Sequence, residues 1–124
     1  MATEKVLMVS SLDESHPAEH ILSNNDAAFW ISTGLYPQEI LLERPLSKVS
    51  SVKFTTTNVR NVRVEGCAEE TPVNFKLLVE GEFDSKGGRL QLKELKCSDH
   101  AKFIKVVILS GWHDFCTVHK ISIE

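Results

Sequence analysis

Apolar and polar residues alternate with a period of two over much of the chain. Val49 to Thr56 sets Val52 and Phe54 on one face and Lys53 on the other, as a half-buried strand does. Val62 and Val64 repeat the pattern between Arg60, Arg63 and Glu65. Phe75 to Phe83 predicts a longer strand, with Phe75, Leu77 and Val79 on one side. In Arg89 to Cys97, Leu90, Leu92 and Leu95 alternate with Gln91, Lys93 and Lys96, except for a slip near Glu94 that a bulge would absorb. Between these two segments lies Asp84-Ser85-Lys86-Gly87-Gly88, whose paired glycines suit the positive φ angles of a tight hairpin. Ala101 to Ser110 is apolar almost throughout from Phe103 to Leu109, which predicts a central strand. Glu39 to Leu42 predicts a short strand ended by Arg44-Pro45. In Phe115 to Ile123 neither face is cleanly apolar, so the register of this last strand stays open.

Roughly seven or eight short strands separated by turn signals predict an all-β sandwich or barrel. One short helix is expected, from Pro17 to about Leu22. Proline suits a first helical position because its missing N–H has no partner there, and Glu19 falls in the first turn, where the helix dipole favours an anion. The 124 residues, without internal repeats or linkers, fit a single domain spanning 1–124.

A formal charge of -3 and the lack of any basic run argue against nucleic acid as a partner. The apolar run Val6 to Val9 is too short for a signal-peptide core, and Val106 to Leu109 is too short to cross a bilayer. The chain reads as soluble and intracellular, without membrane insertion. Cys67, Cys97 and Cys116 are odd in number and widely spaced, as free thiols in a reducing compartment would be.

No linked catalytic constellation emerges. Along an extended strand Cys116 and His119 point to opposite faces, and His113 and His119 lie about 20 Å apart, so this cluster predicts no zinc site. Ser110-Gly111-Trp112 lacks the preceding glycine of a nucleophile elbow, and Gly87-Gly88 belongs to a turn rather than a phosphate loop. An orphan hydrolase would need a Ser-His-Asp cluster within hydrogen-bond reach. Trp30 and Trp112 are expected to plug the core, with sugar stacking as the alternative use of such rings.

Three segments carry a resemblance. His-Pro-Ala-Glu at 16–19 is followed by FWISTGLYPQE at 29–39, and the chain closes with DFCTVHKISIE at 114–124. The joint pattern closely resembles the intraflagellar transport subunit twenty-five family, over almost the whole chain. The resemblance implies a jelly-roll β-sandwich of the galactose-binding or discoidin-like kind. It also implies a non-enzymatic subunit of the intraflagellar transport B complex, located in the cytoplasm and the cilium or flagellum. Such a subunit pairs with a Rab-like small GTPase, intraflagellar transport subunit twenty-seven, and supports ciliary cargo transport. A carbohydrate-binding module on the same jelly roll is the alternative.

Members of that family often hold calcium in a loop patterned N-x-x-D-G-N-x-x-T-F-W. Here His20, Ser23, Asn24 and Ala28 stand where the first Asn, the Asp, the Gly and the Thr would be, while Asn25 keeps its Asn. Calcium takes some six to eight oxygen ligands and favours carboxylates, so the resemblance implies an eroded site without tight calcium. Asn25, Asp26 and Glu124 are the residual candidate ligands. No other cofactor is expected.

Overall fold

The computed structural model describes residues 5–10, 21–22, 30–32 and 35–124. The described residues form seven strands: β1 (Lys5–Val9), β2 (Trp30–Ile31), β3 (Gln38–Thr57), β4 (Val59–Cys67), β5 (Lys76–Glu82), β6 (Gln91–Gly111) and β7 (Thr117–Ile123). All pairings are antiparallel, in the order β2-β7-β3-β6-β4-β5, with β1 also on β3.

β3 and β6 are long enough to serve both layers of a sandwich. The first part of β3 (38–43) lies between β1 and the last part of β6 (103–108), which in turn pairs with β4, and β4 with β5. The last part of β3 (51–57) lies between β7 and the first part of β6 (91–96). A five-stranded layer thus faces a smaller layer of β7, β3 and β6, extended by the short β2. Ile40, Leu42, Val62, Val64, Ile104 and Val106 from the first layer meet Val52, Phe54, Leu95, Val118 and Ile121 from the second in one buried core. Phe54 meets Phe83 edge to face, with ring centroids 5.4 Å apart.

The segments expected at Glu39–Leu42 and Val49–Thr56 are therefore one strand, because Arg44-Pro45 bends β3 instead of ending it. Register is lost between Glu43 and Ser47, opposite Phe103 and Ala101, so Pro45 sits in a bulge where no ladder N–H is required. Arg44 Nη1 spans the bulge, 3.4 Å from both the Ser47 and Ala101 carbonyls. Arg89–Cys97 and Ala101–Ser110 likewise fuse into β6, whose last part is central as expected.

The bulge expected near Glu94 is absent. Gln91 to Lys96 pair without a break against Thr56 to Ser51, and the irregularity falls at Cys97–Ser98. The inward row contains Gln91 and Leu95, leaving Leu92 78% exposed and Leu90 47% exposed. The Gly87-Gly88 turn is real, with φ values of 61° and 84°. It does not close a hairpin: β5 pairs with β4, so the turn carries the chain from one layer to the other. A second tight crossing between the layers is at Asn58, with φ of 60°, where the end of β3 passes into β4.

β7 resolves its mixed pattern with a register shift between Val118 and Lys120. The extra residue, His119, moves the inward set from Cys116 and Val118 to Ile121 and Ile123. The expected N-terminal helix is not seen among the described residues. Pro17 to His20 lie outside the described residues, and Ile21-Leu22 form a 3-10 turn, with Ile21 in the core. Six residues are well short of the ~12–15 at which isolated helices become even marginal.

Candidate functional site

Of the residues that the resemblance places around a calcium loop, His20, Ser23, Asn24, Asn25, Asp26 and Ala28 lie outside the described residues. Glu124 is described, and its carboxylate is already engaged. Lys53 Nζ lies 3.2 Å from Oε1 and 3.0 Å from Oε2, and this contact pushes the lysine pKa up. The Glu124 backbone closes β7 onto β3, accepting from Ser50 and Ser51 N–H and donating to the Ser51 carbonyl. No group of three or more His, Cys, Asp or Glu side chains suited to a metal ion occurs among the described residues.

At the end of the sandwich where β3 turns into β4, the loop after β6 is tightly held. Trp112 donates its backbone N–H to the Asn58 carbonyl at 2.8 Å and its indole N–H to the Phe83 carbonyl at 2.9 Å. The Arg60 guanidinium covers one ring face at 4.6 Å and bonds Glu82 at 3.2 Å. Trp112 therefore roofs this end, partly exposed, instead of plugging the core; Trp30 is fully buried, as expected. Tyr36 O–H donates to the His113 carbonyl at 3.0 Å, and Cys116 N–H donates to Ser32 Oγ at 3.0 Å. Burial pushes both the Tyr36 hydroxyl and the Cys116 thiol up. A thiol raised by burial is the opposite of an activated nucleophile, so this cluster locks the loop and supplies no attacking group.

Several large apolar side chains are exposed, among them Leu7 and Met8 on β1, Leu46, Val73 and Leu77. Leu35 and Phe115 are exposed beside Trp112's loop, and Leu90 and Leu92 project along the first part of β6. Strand alternation alone hid the second pair, because Leu90 and Leu92 looked like core positions. Counting back from Leu95 in steps of two would have placed Gln91 inside and Leu92 outside.

Three proteins show what this chain resembles. It is 35% identical over 119 residues to intraflagellar transport protein 25 from Chlamydomonas reinhardtii, covering 95% of this chain and 63% of that one. It is 34% identical over 122 residues to the mouse homolog of that protein, covering 97% of this chain and 85% of the other. The chain belongs to the intraflagellar transport protein 25 family. The human homolog is 30% identical over the same 97% of the chain. No protein-family profile matches.

The fold has close relatives at low identity. A CBM32 domain from Clostridium perfringens, solved with GalNAc-β-1,3-galactose, superposes with a TM-score of 0.84 at 20% identity, covering 97% of this chain and 94% of the other. The family 32 CBM of NanJ from the same organism, solved with galactose, gives 0.80 at 15% identity, covering 97% and 92%. The sandwich of this family member is thus the galactose-binding-like one that the resemblance implied.

Proposed function

We propose that this intraflagellar transport protein 25 family member is a non-enzymatic subunit of the intraflagellar transport B complex. In this reading it forms a heterodimer with a Rab-like small GTPase, intraflagellar transport subunit twenty-seven, and the pair supports cargo transport in the cilium or flagellum. The supporting observation is the 34% identity to the mouse homolog across 97% of the chain. The side chains agree with a binding role: the cysteine nearest a tyrosine and a serine is buried and protonated, and the exposed surface carries uncovered leucines.

Sugar binding, the other reading of this fold, is less well supported by the side chains. Trp112, the partly exposed ring at the loop end, has its N–H bonded to Phe83 and one face under Arg60. A sugar platform needs that face free. A pull-down with the tagged chain from ciliated cells, read by mass spectrometry, tests the proposal. Enrichment of the small GTPase with other transport B subunits is expected, and their absence beside an abundant bait would refute it.

A further inference from the structure

The first part of β6 is an open sheet edge. Gln91 to Lys96 pair on one side with β3, while β4 pairs only with residues 103–111 of β6, so among the described residues no strand covers the other side. Open edges are normally blunted by charge, and lysines at 93 and 96 fit that device. Leu92 does not. It stands between them and the turn, 78% exposed, on an unbroken stretch of register opposite Thr55. A cleft of about 270 Å³ opens between Leu92, Lys93 and the neighbouring part of β3.

The charge on this edge is also unspent. Residues 89–96 carry Arg89, Lys93 and Lys96 against the single anion Glu94, in a chain whose net charge is -3. None of these three cations has an ion-pair partner among the described residues. The edge formed by β5 differs: there Lys76 is bonded to Asp99 and Glu82 to Arg60. One edge of the sandwich thus combines a main-chain side that no strand pairs among the described residues, an exposed leucine and uncompensated positive charge.

We propose that the Gln91–Lys96 edge binds an extended, acidic segment of a partner protein by strand addition. Main-chain hydrogen bonds to the open edge supply the pairing. An apolar residue of the segment covers Leu92, and its Asp or Glu residues face Lys93, Lys96 and Arg89. The idea stands apart from the GTPase heterodimer, since it concerns a peptide strand on one named edge.

A phage library of random octapeptides, panned on the chain with Leu92→Glu protein as counter-selection, tests it. Enriched peptides are expected to combine several Asp or Glu residues with at least one Val, Ile or Leu. A synthetic copy of one should perturb the backbone amides of Gln91 to Lys96 in NMR spectra, and should bind more weakly as salt rises. Leu92→Glu should weaken that binding by about tenfold or more. Lys93→Glu with Lys96→Glu should turn the preference to Lys- and Arg-rich peptides, a gain that an unfolded variant could not show. Failure to enrich acidic peptides, or amide changes confined to another surface, would overturn the proposal.

Discussion

Gln91 and Leu92 are neighbours with opposite environments, and exchanging their chemistry tests the register of β6. Gln91 is 2% exposed and uses both ends of its amide. Its Nε2 donates to the Val59 carbonyl at 2.7 Å and the Asp84 carbonyl at 2.9 Å. Its Oε1 accepts from Thr56 Oγ1 at 2.8 Å and from Val59 N–H at 3.0 Å. One side chain thereby ties β3, the start of β4 and the crossover after β5 to β6. Gln91→Leu keeps most of the volume but strands the Thr56 hydroxyl and the Val59 N–H, both in buried residues. Each stranded buried group costs about 1–3 kcal/mol, and such losses overlap, so a destabilisation of about 2–4 kcal/mol is expected. For a chain of this size that corresponds to a fall of about 8–15 °C in Tm. Leu92→Gln, at an exposed position, should stay within about 0.5 kcal/mol. Urea unfolding followed by circular dichroism reads both, with the midpoint moving and the slope unchanged for Gln91→Leu. A harmless Gln91→Leu beside a costly Leu92→Gln would show that the strand has the opposite face inward, and would refute the reasoning.

Three further expectations follow from local geometry. At Gly111 an added Cβ would collide with the Tyr36 hydroxyl and come within 2.7 Å of the Asn58 carbonyl, so Gly111→Ala should destabilise by about 1–3 kcal/mol in the same unfolding assay. The Lys76 ammonium at 2.7 Å, and then the His100 backbone N–H, hold the Asp99 carboxyl below its usual range. Its folded-state pKa is the lower one, so its stabilising effect is present above the unfolded value and is lost as pH falls through the folded value; Asp99→Asn should flatten that part of the stability–pH curve. Titration calorimetry with calcium should show no micromolar binding, given the replacements at His20, Ser23 and Ala28 and the engagement of Glu124 by Lys53; a micromolar isotherm would contradict this.

Period-two alternation located most of the strands because a half-buried sheet imposes it directly, as Val52-Lys53-Phe54 and Val62-Arg63-Val64 illustrate. It failed where long-range pairing overrides local pattern. Pro45 looked like a terminator, yet the bulge opposite Lys102 removes the need for its N–H, and β3 runs on. His119 was unreadable as a bulge because the extra residue is defined only by its partner strand, between Thr55 and Thr56. Leu92 drew the inward face toward itself on hydrophobicity alone, although an amide at position 91 satisfies three polar groups of the buried Thr56 and Val59, and the Asp84 carbonyl, that no leucine could. The candidate site was less legible still. Family segments at 16–19, 29–39 and 114–124 pointed to the right relatives, but an open edge is a property of topology, which alternation along one strand does not encode.

The proposed heterodimer is tested most directly by size-exclusion chromatography with light scattering on this chain mixed with the subunit twenty-seven small GTPase at micromolar concentration. A single peak with the mass of one copy of each is expected. Two separate peaks, each at its monomer mass, would contradict the account.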